Sequence, residues 1–179
     1  MQKKIQSFFL NLKNKKAAAE KNTIRKNIPY SQARQVGVLF MNEGEDDYAV
    51  INKFMQKLAR DGKKITALTY FERIQSNGYD FYFDSFSKEQ ISATGVINSD
   101  KVERFIETDF DYLFCINKYS FLPFDYILLR SRAKCRVGMY LEEKPDCFEL
   151  MIKPKPEDTF ESLIDQLLKY LKALIPDGK

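Results

Sequence analysis

The chain has 179 residues, enough for one domain with a full core, and carries 29 Lys and Arg against 25 Asp and Glu, a formal net charge of +4. It contains 15 Phe, 10 Tyr, no Trp and no histidine, and no apolar run approaches the roughly 20 residues of a membrane-spanning helix. The missing histidine excludes Ser-His-Asp and Cys-His machinery, His-dependent zinc sites and the ordinary neutral-pH general base, leaving carboxylate, Lys, Tyr and Mg²⁺ chemistry.

Residues 2–21 read as a helix, because Ile5, Phe8, Phe9 and Leu12 recur at the spacing that gathers side chains onto one face. Asn22 to Ser31 reads as a connector. Val36–Phe40 is a continuous apolar run, the pattern of a strand buried on both faces. A helix from Asp46 or Asp47 to Arg60 follows, with Val50, Ile51, Phe54 and Leu58 as its stripe and Gly62 placed to end it. Lys64–Tyr70 is a second strand, which completes a β-α-β unit. Residues 71–95 give no regular pattern, although Phe81, Phe83 and Phe86 suit a short strand or an extended cover. Ser99 is placed to cap a helix whose apolar face is Val102, Phe105 and Ile106. Tyr112–Ile116 is then the third clear strand. A helix over Phe121–Arg132, a strand over Lys134–Tyr140, a turn at Lys144-Pro145-Asp146, a short strand over Phe148–Ile152 and a final helix from Glu157-Asp158-Thr159 to about Leu174 complete the chain, closed by Pro176 and Gly178.

This alternation predicts an α/β fold: a three-layer Rossmann-like arrangement, with a mostly parallel sheet, helices on both faces and a basic amphipathic helix at the N-terminus. The division is residues 1–31, basic helix and connector, and residues 32–179, one α/β domain. The basic N-terminus has too short an apolar stretch for a secretory signal, which points to the cytoplasm. There Cys115, Cys135 and Cys147, with no Cys-x-x-Cys pair, read as buried reduced thiols.

Charge is unevenly placed. Residues 1–34 hold nine Lys and Arg against the single acid Glu20, so that segment is +8 and the remainder −4. Lys3, Lys4, Lys13, Lys15 and Lys16 are anion-binding candidates, and so are Arg130, Arg132, Lys134 and Arg136, four cations within seven residues. The alternative for the first group is a solvated helix face, and for the second a set of cations stabilising a helix C-terminus.

In an open α/β sheet, ligands bind at the carboxyl ends of the strands. After the first strand stands Met41-Asn42-Glu43-Gly44-Glu45-Asp46-Asp47. This loop has neither Gly-x-Gly-x-x-Gly nor a Walker lysine, and its four acids repel phosphate. Asp46 and Asp47 are candidates for a carboxylate base or a Mg²⁺ ligand, with helix capping as the alternative. Asn117-Lys118-Tyr119-Ser120 is a second polar strand end, readable as a ligand loop or as an ordinary turn. No cofactor motif is present.

Val36–Phe40, Phe110-Asp111-Tyr112-Leu113-Phe114-Cys115-Ile116-Asn117, Ala133-Lys134-Cys135-Arg136-Val137-Gly138 and Phe148-Glu149-Leu150-Met151-Ile152 together resemble a family of short bacterial proteins known only as a domain of unknown function, from about residue 30 onward. The strand at Asp111-Tyr112-Leu113, the helix after it and Ala133-Lys134-x-Arg136-Val137-Gly138 also resemble the N-terminal Rossmann-like half of the ADP-heptose glycosyltransferases. That second resemblance implies that Asp47 lies near the catalytic carboxylate of that family. Here the glycine-rich first loop is replaced by an acidic one, and the nucleotide-sugar-binding half is not contained in these residues.

The expectation from these observations is a cytoplasmic, non-enzymatic binding protein that docks residues 1–26 on RNA, a ribonucleoprotein or an anionic membrane surface. The alternatives are a degenerate or partnered glycosyltransferase-like enzyme using Asp46 or Asp47, and a homo-oligomer exchanging its N-terminal helix.

Overall fold

The computed structural model describes residues 2–19, 25–26, 28–41, 45–73, 83–141 and 145–174. The expected Phe81 contact, Lys144 and the closing Pro176 and Gly178 lie outside the described residues. So do the side chains of Lys3, Lys4, Ile5 and Phe8.

The described elements are α1 (Gln2–Ala19), β1 (Gln35–Met41), α2 (Glu45–Arg60), β2 (Lys64–Phe71), β3 (Asp84–Ser87), α3 (Asp100–Glu107), β4 (Tyr112–Ile116), α4 (Leu122–Arg130), β5 (Cys135–Met139), β6 (Leu150–Ile152) and α5 (Phe160–Leu174). Single 3₁₀ turns stand at Lys88–Gln90 and Pro145–Cys147. The six strands form one parallel sheet in the order β3-β2-β1-β4-β5-β6. Among the described residues no helix is long and apolar enough to cross a membrane.

Strand alternation divides the core in two. Val36, Val38 and Phe40 of β1, with Tyr112, Phe114 and Ile116 of β4, join Phe54 and Leu58 of α2 and Leu163, Leu167 and Leu171 of α5 on one face. Leu39, Leu113 and Cys115 point the other way, toward Val102 and Phe105 of α3, Phe124 and Ile127 of α4, and Leu10 of α1. The result is a helix–sheet–helix sandwich. Central β1 and β4 are covered on both faces, which is why their sequences are apolar without alternation.

Two helix ends show the local chemistry. α2 stops because Gly62 takes φ +74°, donating its N–H to the Ala59 carbonyl while Lys63 donates to Leu58. This left-handed cap satisfies two carbonyls that the helix leaves free. α5 begins at Thr159, whose hydroxyl accepts the Ser162 N–H at 3.1 Å. Ser99 does cap α3, but only through its backbone: its carbonyl takes the Glu103 N–H, while its buried hydroxyl makes no bond.

Two expectations change. Of the two readings of the 71–95 segment the short strand holds: β3 is the sixth strand of the sheet and the third in chain order, so Tyr112–Ile116 is the fourth strand of the chain and lies in the middle of the sheet. Phe86 enters the α3/α4 face, whereas Phe83 packs edge-on against Phe40 on the opposite face at 5.3 Å. The two described members of the predicted α1 stripe, Phe9 and Leu12, lie off the packed face. Phe9 and Leu12 are 40% and 47% exposed, while Leu10 and Asn14 are buried against α4 and the rest of that layer. Periodicity marked the apolar residues of α1; the position of α4 decided which face meets the domain.

The connector behind α1 is pinned to the amino edge of the sheet. Tyr112 donates its hydroxyl to the Ile28 carbonyl, and Asp111 accepts the N–H groups of Arg34 and Gln35 at 2.7 and 2.9 Å. Buried Lys63 donates to the carbonyls of Tyr30 and Ala33 at 2.6 and 2.8 Å, and burial lowers its pKa.

Candidate functional site

The strand order reverses between β1 and β4, and that switch point is where parallel sheets of this kind open a crevice at their carboxyl edge. The structure brings together there the two strand ends singled out by sequence. Asp47, half-buried in the first turn of α2, receives the Lys118 ammonium on both oxygens, at 2.8 and 2.7 Å. That ammonium also lies 4.8 Å from the Phe160 ring centre. Asp46 is exposed. Asn117 is buried; it accepts the Cys115 thiol at 3.4 Å and donates to the Tyr119 carbonyl, which closes its own loop. The switch point is thus bridged by an ion pair.

A cleft of about 320 Å³ opens nearby, on the α4 face of the sheet. Ser7 and Leu10 of α1 form one wall, Tyr70 and Glu72 come from the end of β2, Lys88 and Ile91 from the first 3₁₀ turn, and Ser120 to Pro123 from the start of α4. The Tyr70 and Phe121 rings meet inside at 4.7 Å between centres. Tyr70 donates its hydroxyl to Glu72 at 3.1 Å, and Lys88 stands 3.6 Å from the other Glu72 oxygen. Burial, and after it the Glu72 carboxylate, raise the Tyr70 pKa, so the phenol stays a donor. Of these residues the sequence singles out only Ser120, the last of the polar strand end Asn117-Lys118-Tyr119-Ser120. For the rest the one available signal is Glu72, an acid at the end of the apolar run of β2.

The basic residues gather at another surface. Arg130 lays its guanidinium 3.8 Å over the Tyr126 ring and donates to the Lys13 carbonyl at 3.2 Å, so the two basic stretches are in direct contact. Lys15, Lys16 and Arg132 are exposed, and Lys13 is half-buried. Lys134 pairs with Asp111 at 2.7 Å. Arg136 is only 6% exposed: it bonds Glu149 at 3.0 and 2.6 Å and the carbonyls of Leu128 and Asp146 at 3.2 and 3.0 Å. Arg25 donates to the carbonyls of Ser131 and Ala133, and burial together with neighbouring Arg136 lowers its pKa to about 10. The four-cation run therefore splits: Arg132 faces solvent, Arg130 joins α4 to α1, Lys134 ties the loop before β5 to Asp111, and Arg136 faces inward.

The three cysteines are free and buried. Burial pushes Cys135 up to about 12 and Cys115 well above the usual thiol range, which suppresses the thiolate that nucleophilic or redox chemistry requires.

The all-parallel sheet, its order and the helices on both faces define a Rossmann-like three-layer α/β protein. The chain belongs to a family of unknown function (DUF6913), whose model matches residues 6–174. The match takes in most of α1 as well as the part from about residue 30 onward. No curated protein and no solved structure matches the chain.

Proposed function

We propose that this is a binding protein that docks on an anionic partner through the outer face of α1. The carrying observation is the contact between Arg130 and the Lys13 carbonyl, which makes one surface of two basic segments distant in sequence. Lys15 and Lys16 are exposed on the helix and Arg132 stands exposed just past the end of α4. Exposed Phe9 and Leu12 share the helix with these lysines. Among RNA, a ribonucleoprotein and a membrane surface, this mixture favours an anionic bilayer, because an aliphatic side chain such as Leu12 gains by entering the acyl boundary and gains nothing from a phosphodiester backbone.

Deleting residues 1–30 would be a poor test, since Leu10 and Tyr30 belong to the core. Charge reversal at exposed Lys15 and Lys16 avoids that problem. The full chain should co-sediment with phosphatidylserine-containing vesicles at low salt, less so as salt rises, and the Lys15→Glu/Lys16→Glu variant should lose most of that binding. Equal binding by both chains, or no vesicle binding at low salt, would sink the reading. Tighter binding to an RNA homopolymer than to vesicles would move it to nucleic acid.

A further inference from the structure

We propose that the cleft between α1, the end of β2 and the start of α4 binds a small zwitterion with a flat apolar body, the chemistry of a free aromatic α-amino acid. Its volume of about 320 Å³ falls at the lower end of small-ligand pockets. The interior is apolar, built from Leu10, Ile91, Leu122 and Pro123, with the Tyr70 and Phe121 rings inclined at 56° to each other. A planar side chain has aromatic surface to pack against there.

The polar groups decide the class. Among the described residues lining the cleft, the charges are one carboxylate, Glu72, and one ammonium, Lys88, placed 3.6 Å apart. Their side chains are 67% and 43% exposed, so their mutual attraction is weak and opening the pair costs little. Tyr70 holds Glu72 through one oxygen and leaves the other directed at Lys88. A molecule with an ammonium and a carboxylate on one carbon fits between them. Its ammonium pairs with Glu72, its carboxylate with Lys88, and one exposed ion pair becomes two. A simple anion would meet Glu72 as a like charge, and a simple cation would meet Lys88. The setting is also the expected one, since all these groups lie at or beyond the carboxyl edge of a parallel sheet. This site uses the wall of α1 formed by Ser7 and Leu10, a feature separate from the lysines invoked above.

The test is isothermal titration of the full chain with L-phenylalanine and L-tryptophan, beside 2-phenylethylamine and 3-phenylpropionate. Binding of at least one amino acid is expected, with each analogue that lacks one charged group weaker by about tenfold or more, as one lost charge-assisted bond implies. Glu72→Gln and Lys88→Gln should each cause a similar loss while the thermal midpoint stays unchanged, because both side chains are exposed. The proposal is overturned if neither amino acid binds at about 10 mM, a limit that already corresponds to very weak affinity. It is equally overturned if the two variants bind as well as the parent, or if the analogues bind as tightly as the amino acids.

Discussion

Lys118 donates to both carboxylate oxygens of Asp47, joining the loop after β4 to the first turn of α2 across the point where the strand order reverses. The two residues are 71 positions apart, and each had been marked separately as part of a polar strand end. Together they form a structural bridge over the crevice in which parallel sheets of this kind bind ligands.

Because Lys118 is partly exposed, this bridge contributes little to global stability. A double-mutant cycle with Asp47→Asn and Lys118→Met, measured by urea denaturation, should give a coupling below about 1 kcal/mol. A coupling of several kcal/mol would mean that the crevice is held shut by far more than a surface ion pair.

Asp111 is the more consequential carboxylate. It accepts the N–H groups of Arg34 and Gln35 and the Lys134 ammonium, and so ties the start of β1 to the segments before β4 and β5. Burial by itself would raise its pKa; the Lys134 hydrogen bond and the two backbone N–H bonds outweigh burial and lower it. The sign follows. A carboxyl with a depressed folded pKa contributes stability that is complete above its unfolded value of about 3.9 and is lost as the pH falls toward the folded value. Asp111→Ala should cost about 1–3 kcal/mol at neutral pH, since it leaves two part-buried N–H groups and a lysine without their carboxylate. Denaturant midpoints taken from pH 6 to pH 3 should fall more steeply for the parent than for Asp111→Asn. Parallel curves would show that Asp111 is not held in its charged form.

Two glycines with φ +74° separate backbone strain from packing. An added Cβ at Gly62 would meet nothing within 4 Å, whereas at Gly95 it would come within 2.8 Å of the Leu10 Cα in α1. Gly62→Ala should therefore cost only the left-handed backbone penalty of about 1–2 kcal/mol. Gly95→Ala should cost that and about 1–3 kcal/mol of overpacking besides, and should quicken proteolytic cleavage within α1. Equal stability losses in the two variants would show that α1 is not seated against Gly95.

Legibility followed locality. Tyr112–Ile116 was readable to the residue, because a strand buried on both faces must be apolar throughout. The stop of α2 at Gly62 was equally plain, since few residues other than glycine adopt that cap at low cost. β3 was legible only as one of two alternatives, a short strand or an extended cover, because its four residues, Asp84–Ser87, form an edge strand with one large apolar side chain and no run to recognise. The Arg130–Arg136 cluster had the right composition, but its roles are set by partners remote in sequence: Lys13 for Arg130, Asp111 for Lys134 and Glu149 for Arg136.

By itself, the sequence determined the class of this protein. Continuous apolar runs alternating with helical stripes leave little besides a parallel sheet covered on both faces, and the absence of histidine and of glycine-rich phosphate loops removes whole chemistries. Tertiary structure decided everything that depends on juxtaposition. It turned the stripe of Phe9 and Leu12 outward and buried Leu10. It spent Asp47 on Lys118 and built a cleft from four separate segments, with Glu72 and Lys88 at its mouth. The physical reason is that hydrophobic periodicity is a property of neighbouring residues, whereas charge pairing, cavity shape and the choice of buried face depend on distances between groups that the chain itself keeps far apart.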